Sequence, residues 1–482
     1  MINKQKLTFD QNKALEKFNI WLDEKPSSNI FILSGYAGSG KTFLARKFLK
    51  IVESRKICWT VAAPTHKAVG VLRKALDKEQ INPTWYPATI HRLLRLKLKR
   101  KGNLEVCEKT DKTLKALDQL GMVLIDEASM LESNLLEIVI SCAKSFNTRL
   151  VFVGDPAQLP PIGESVSPVF SIIRATKSHL NEVVRHQGSV LKLANLIKEK
   201  DFPCSAPPCF SLGKPNSGVI GSLDQTTWLE QAKLALKEST AKNDPDSVRI
   251  LCYTNRYLER LTPHARRALH GKLADEMPVL PGEVLISRRA VMSLASLKSN
   301  EKLEEPGILL GSNTEMIVED VNNEKFYLPD NELGGDLGFD IPEINSLVAK
   351  VRVSNNIFLI RLMPEIGSNS RVVLDKLMNQ LSNLAKKLSK KESRHIWKNF
   401  FYLRDSFAFV GPASVLTVHR SQGSTFEEVY IASDVFWARE DSLRKHLLYV
   451  AVSRASKAVW LAGDSSINPI DNIWNDKLIF SN

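Results

Sequence analysis

Gly35-Tyr-Ala37-Gly38-Ser39-Gly40-Lys41-Thr42 has the form G-x-x-x-x-G-K-T, a spacing that suits the phosphates of a nucleotide. Its three glycines let the backbone curl so that successive N–H groups converge on an anion. A helix beginning here adds the positive end of its dipole. Lys41 is expected to reach the β- and γ-phosphates, and the Thr42 hydroxyl to hold Mg²⁺. Farther along, Asp126-Glu127 ends the apolar run Met122-Val-Leu-Ile125. Asp126 is placed to hold Mg²⁺ through water, and Glu127 to act as general base on an attacking water. An acidic pair after an apolar run is a weak signal alone and a strong one downstream of a phosphate loop. Gly154-Asp155-Pro-Ala-Gln158 follows the next apolar run, and the Gln158 amide is able to touch both a γ-phosphate and a water.

Such residues need rigid elements behind them. Ile30–Ser34, Cys58–Ala63, Met122–Ile125 and Leu150–Val153 are short apolar runs that read as buried strands, and Thr42–Leu49 has helical spacing. Strands alternating with helices predict a parallel α/β sheet with its active residues beyond the strands' carboxyl ends. A second α/β set begins at Val248–Tyr253 and resumes at Ser414–Val418, Val429–Ala432 and Ala458–Ala462. The stretch between, residues 276–411, is then an insertion. In it Val279–Ile286 and Thr314–Val321 read as strands of a small β-module. Asp375–Phe400 reads as helical and carries Lys386-Lys387 and Lys390-Lys391. Lys97–Val106 alternates loosely around Gly102-Asn103 and predicts a basic β-hairpin. Thr8 and Gln11 have capping-box spacing before a helix over Asp10–Leu22. Asp201–Gly218, rich in Pro, Ser and Gly, reads as a linker or surface loop.

Composition narrows the partners. The 482 residues, 43% hydrophobic and 25% charged, are ordinary for several packed domains. A net charge of +13 favours a polyanion, nucleic acid first and an anionic membrane surface second. No apolar run approaches the ~20 residues of a spanning helix, and the polar N-terminus has no signal-peptide core. The six cysteines are scattered; Cys204 and Cys209 flank prolines without a second pair or a His cluster, which argues against zinc. A reducing cytoplasm is the expected compartment.

Eight stretches in order resemble the motifs of superfamily 1B DNA helicases of the RecD/Dda type, with size and layout most like the phage Dda helicases. Gly35–Thr42 resembles motif I, Ala63-Pro64-Thr65-His66-Lys67-Ala68 motif Ia, and Thr89-Ile-His91 motif Ib. Ile125-Asp126-Glu127-Ala-Ser129 resembles motif II, Gly154–Pro160 motif III, and Leu180–Arg185 motif IV. Thr417-Val-His419-Arg-Ser421-Gln422-Gly423-Ser424-Thr425-Phe426 resembles motif V, and Tyr449-Val-Ala-Val-Ser453-Arg454-Ala455 motif VI. The resemblance implies ATP and Mg²⁺ as cofactors. It implies nucleotide contacts from Gln11, Gly35, Ala37, Gly38, Ser39, Gly40, Lys41, Thr42, Asp126 and Gly423, with Thr42 and Asp126 on the metal. Gln11 looks like the family's adenine-reading glutamine, beside its capping role. Arg185 and Arg454 look like arginine fingers acting with Lys41, Glu127 and Gln158 in catalysis. Pro64, Thr65, His66, His91, Thr417 and His419 look like strand-contacting positions.

The expected architecture is two RecA-like parallel-sheet motor domains, residues 1–180 and residues 181–275 with 412–482. A hairpin at residues 95–112 decorates the first. An SH3-like β-module with a basic helical arm, residues 276–411, is inserted in the second. The expected function is ATP-dependent 5′→3′ movement on single-stranded DNA with unwinding of duplex forks, in replication, recombination or repair. The direction comes from the resemblance alone. A monomer is expected, with a single-strand-binding protein or replisome component as further partner and no membrane. Competing readings are a protein-displacing translocase, an RNA helicase and an ATP-gated binding switch. The hairpin lacks an aromatic residue near its tip, so Leu98, Leu104 or backbone must act as wedge. Trp85 and Tyr86 suit either a stacking platform or the core.

Overall fold

A computed structural model describes residues 7–24, 28–101, 104–161, 163–182, 188–199, 202–203, 205–212, 218–241, 244, 247–293, 308–327, 342–353, 356–389, 392–467 and 474. Arg185, Gly102-Asn103, Cys204, Lys390-Lys391 and much of the Asp201–Gly218 stretch lie outside the described residues.

The first sheet is built from β1 (Ile30–Gly35), β2 (Trp59–Ala63), β3 (Ala88–Thr89), β6 (Met122–Ile125), β7 (Arg149–Gly154) and β8 (Thr176–Leu180), with β4 (Lys97–Lys101) and β5 (Leu104–Glu108) paired apart from it. Its order is β3-β2-β6-β7-β1-β8, and every neighbouring pair is parallel. Alternation along the strands divides the core. Phe31, Leu33, Leu124 and Val153 face the helices Phe9–Asp23 and Lys41–Ser54, where Phe18 stacks on Phe48 at 3.9 Å. Ile32, Val123 and Phe152 face the helix Ser133–Ser145. β8 escapes sequence reading because Thr176-Lys-Ser-His-Leu180 is an edge strand with few apolar side chains to announce it. In the hairpin, β4 and β5 are antiparallel with Lys97 opposite Glu108 and Lys101 opposite Leu104.

β9 (Phe210–Leu212), β10 (Val219–Leu223) and β11 (Val248–Cys252) come next, and a second compact unit, Thr262–Ser414, then interrupts the chain. In that unit β12 (Val284–Ser287), β15 (Glu315–Phe326), β16 (Ile344–Val353), β17 (Asn356–Arg361) and β18 (Val410–Pro412) form an antiparallel sheet in the order β17-β16-β15-β12-β18. β13 (Val291–Met292) pairs with β14 (Ile308–Leu310). The strand expected from Val279 starts only at Val284. Gly282 takes a left-handed φ of 83°, and Glu283 is held by Arg266 in a buried pair at 2.8 Å. The single helical stretch expected over Asp375–Phe400 is two helices, Asn369–Lys387 and Ser393–Asp405. Between them Leu388 is extended, and the Ser389 N–H and hydroxyl both donate to the Glu392 carboxylate. The second helix begins at Ser393, with Glu392 at its N-cap. Leu374, Leu377 and Leu381 pack with Ile396 and Leu403.

β19 (Val415–Thr417), β20 (Phe426–Ile431) and β21 (Ala455–Ala462) complete the other sheet, in the order β19-β11-β20-β21-β10-β9. Its neighbours are parallel except β9 with β10. Among the described residues no helix is long and apolar enough to cross a membrane.

Candidate nucleotide site and strand-contact surface

The phosphate loop joins β1 to the helix Lys41–Ser54. Gly38 and Gly40 have left-handed φ of 79° and 83°, which side-chain-bearing residues rarely adopt. Gly35 leaves no room for a Cβ, which would stand 2.7 Å from Ser39 Oγ and 3.0 Å from Leu180 Cβ. Lys41 Nζ donates to the carbonyls of Gly35 (2.7 Å) and Tyr36 (2.9 Å) and lies 3.9 Å from Asp155 Oδ2. Thr42 is exposed. Gln11 is buried and takes the capping position expected from sequence. Its Oε1 accepts the Thr8 N–H that closes the capping box, and its Nε2 donates to Ser39 O at 3.1 Å. One amide thus ties the first helix to the phosphate loop.

Asp126 and Glu127 follow β6. The Asp126 carboxylate accepts the Glu127 N–H at 2.9 Å. Desolvation, then the adjacent Glu127 charge, push the Asp126 carboxyl up to about 7 against the pull of Lys41. Glu127 has a left-handed φ of 52°, an uncommon conformation for a side-chain-bearing residue. A carboxyl held in this environment, with an exposed threonine hydroxyl on the loop, offers the hard oxygen donors that suit Mg²⁺. That ion typically takes one or two carboxylates and completes its shell with water and phosphate. The described residues contain no group of three or more His, Cys, Asp or Glu able to hold a metal.

Gln158 is buried, and among the described residues its Oε1 has no hydrogen-bond partner. Asp155 is fully buried; Oδ1 accepts the Ala157 N–H at 2.9 Å and Oδ2 accepts the Tyr449 hydroxyl at 2.6 Å. Tyr449 Oη in turn accepts the Ala37 N–H of the phosphate loop at 2.9 Å. Tyr449 sits on the helix Asp441–Ser453, which belongs to the second sheet's side, so that sheet reaches into the phosphate loop. Two further contacts repeat the pattern. Gln422 Nε2 donates to Leu159 O at 3.2 Å, and a Cβ on Gly423 would lie 3.8 Å from Thr65 Oγ1 and 4.0 Å from Glu127 Cγ. Arg454 is buried, and its guanidinium bonds Val450 O, Ser424 O and Ser453 Oγ, all on its own side of the cleft.

Tyr449 and Lys198 were not singled out from sequence. Lys198 follows the helix Ser189–Ile197 and stands 3.4 Å from the centroid of the Tyr36 ring; burial pushes its ammonium down to about 8. Tyr449 lies inside a stretch already chosen for Arg454, but no local pattern reveals a partner 294 positions away.

The expected strand-contacting residues follow the carboxyl ends of β2, β3 and β19. Pro64 and Thr65 follow β2, and the Thr65 hydroxyl caps the next helix by accepting the Ala68 N–H. His66 and His91 lie close enough to interact. Desolvation holds both below the ordinary histidine value, and for His66 the charges of Arg73, Arg92 and His91 add to it. Thr417 is buried; His419 lies with its ring 6.2 Å from that of Tyr253. Trp85 packs on the core, whereas Tyr86 is 74% exposed with the Arg73 guanidinium 4.3 Å above its ring.

Comparisons with known proteins bear on this arrangement. Residues 9–204 match an AAA domain family, and residues 412–462 match the UvrD-like helicase C-terminal domain. The chain is 25% identical over 517 residues to protein R530 of Acanthamoeba polyphaga mimivirus, covering 94% of this chain and 98% of the relative. It is 28% identical over 186 residues to the RecBCD enzyme subunit RecD of Buchnera aphidicola, covering 36% of this chain and 28% of RecD. Among solved structures, the Bacteroides Pif1 helicase bound to single-stranded DNA aligns over 99% of this chain and 96% of its own, at 16% identity and a TM-score of 0.45, values that add no argument of their own. The two domain matches fall on the two sheets that meet at the phosphate loop, and with the RecD likeness they support an ATP-hydrolysing DNA helicase of the superfamily 1B, RecD-like kind.

Proposed function

We propose that the chain moves 5′→3′ along single-stranded DNA and unwinds the duplex ahead of it, driven by ATP held between its two parallel sheets. The observation that carries this reading is the contact of both sheets at one phosphate loop, through Tyr449 on Ala37 and Asp155 and through Gly423 beside Thr65 and Glu127. A nucleotide seated there is touched by both halves, so its arrival and hydrolysis change how the halves meet. The proposed motor domains are residues 1–180, with the hairpin at 95–112, and residues 181–275 with 412–482. Residues 276–411 are the inserted SH3-like module and helical arm.

In this mechanism Lys41 leaves the loop carbonyls for the phosphates, and the loop N–H groups complete the cradle. Thr42 and Asp126 would hold Mg²⁺, which neutralises phosphate charge. Glu127 takes the proton of the attacking water, and the unpartnered Gln158 oxygen is available to orient that water. Arg454 and Arg185 reach the γ-phosphate as the halves close, and fingers of this kind matter by ~10³–10⁵ in rate. Thr65, His66 and His91 grip the strand on one side, Thr417 and His419 on the other, and alternating grip gives net movement. Monomer action alongside a single-strand-binding protein or replisome component, in replication, recombination or repair, is proposed on the resemblance alone, and a cytoplasmic location on the scattered cysteines.

Strand displacement on duplexes with a 5′ or a 3′ single-stranded tail tests the reading. Unwinding of the 5′-tailed duplex alone, in the presence of ATP, is expected. Preference for the 3′ tail overturns the direction, and release of bound protein without unwinding of either duplex favours a translocase.

A further inference from the structure

We propose that Tyr449 is a positioning residue through which strand binding on the second sheet is felt at the phosphate loop. This rests on the helicase reading and deepens it.

The path is short and continuous. Thr417 ends β19, and His419 lies in the single turn Val418–Ser421 that follows. That turn packs against the helix Asp441–Ser453. Tyr449 projects from this helix, is 2% exposed, and ends its hydroxyl between two groups of the first sheet. The hydroxyl donates to Asp155 Oδ2 at 2.6 Å and accepts from Ala37 N–H at 2.9 Å. Burial, with the Asp155 charge next, holds the phenol far above its ordinary value, so it stays protonated and able to donate. Both partners belong to the phosphate site. Ala37 lies in the loop itself, and Asp155 lies 3.9 Å from Lys41 Nζ. A shift of the helix therefore moves the hydroxyl relative to Asp155. It also alters how strongly Asp155 holds Lys41 and whether the Ala37 N–H is free for phosphate. A phenol suits the place because it donates and accepts at one atom on a rigid stem. Phenylalanine keeps the ring and its packing but leaves a buried carboxylate oxygen and the Ala37 N–H without this partner.

Coupling between two ligands is a ratio of affinities and is the same from either side. The test measures Kd of a non-hydrolysable ATP analogue with and without saturating oligo(dT), and Kd of the oligonucleotide with and without the analogue, for wild type and Tyr449→Phe. In wild type each ligand changes the other's affinity by the same factor, about 5- to 150-fold. In Tyr449→Phe that factor falls towards 1, and stimulation of ATP hydrolysis by DNA falls with it. A merely structural role lowers the melting temperature, or both affinities together, and leaves their ratio unchanged. A wild-type coupling factor in Tyr449→Phe overturns the inference. If wild-type protein itself shows no coupling and no stimulation, the strand-driven reading of the whole chain falls, which is a distinguishable result.

Discussion

Replacing Lys41 with alanine is expected to do more than remove a charge from the nucleotide. The Lys41 ammonium ties the phosphate loop to itself through the Gly35 and Tyr36 carbonyls, and it faces the buried Asp155 carboxylate at 3.9 Å. Hydrogen bonds to a charged group contribute ~1.5–3 kcal/mol each, and such terms do not simply add. The freed carbonyls recover water, whereas Asp155 loses a nearby cation and is left with the Tyr449 hydroxyl, the Ala157 N–H and the charge of Lys198. A net loss of about 2–4 kcal/mol in the nucleotide-free protein follows, equal to a fall of roughly 2–4 °C in melting temperature for a chain of 482 residues. Glu127→Gln is the matched control. Its side chain has no hydrogen bond among the described residues, and the change relieves repulsion with Asp126. It should stop turnover while leaving ATP and DNA binding in place and the melting temperature unlowered. The assays are thermal unfolding by circular dichroism without nucleotide, and phosphate release. A Lys41→Ala protein that melts with wild type refutes the scaffolding argument. Steady-state turnover near wild type in Glu127→Gln refutes the role given to that base.

Exchanging Lys97–Val106 for a Gly-Ser linker should leave DNA-stimulated ATP hydrolysis within a few-fold and abolish unwinding of a 5′-tailed duplex; unwinding at an undiminished rate means the wedge lies elsewhere. Because His66 and His91 are held below the ordinary value of 6.5, both are neutral at pH 7 and gain charge only in more acidic solution. Single-strand affinity at constant salt should therefore be flat from pH 8 to pH 6.5 and strengthen below; a rise between pH 8 and pH 7 that His91→Asn removes contradicts this. The net charge of +13 predicts phosphate-driven binding, with a log–log salt slope near −0.7 per phosphate neutralised, and a flat response tells against it.

The phosphate loop, the acidic pair and the main strands were legible because each is written in neighbouring residues. Gly35–Thr42 carries its own spacing, and Met122–Ile125 is apolar on both faces because both faces are covered. The capping role of Gln11 was legible in its spacing from Thr8, whereas its bond to Ser39 O, 28 positions away, was not. What local pattern could not show lies between distant segments. The Tyr449 contact to Asp155, the Lys198 approach to Tyr36 and the place of Gly423 beside Glu127 all depend on how two sheets face each other. The edge strand Thr176–Leu180 was hidden for a related reason. It earns its position from pairing with β1 and has little apolar burial of its own. The break at Ser389 could have been read, because Ser389 and Glu392 have helix-start spacing, but apolar residues at helical period on both sides masked it.

The central claim is that a nucleotide held where the two sheets meet is hydrolysed in response to a strand gripped by both. Phosphate release with and without single-stranded DNA, at two salt concentrations, tests it most directly. The account predicts a many-fold rise with DNA, with more DNA needed for half the effect at the higher salt because the strand is held through its phosphates. A rate indifferent to DNA at both salt concentrations contradicts it.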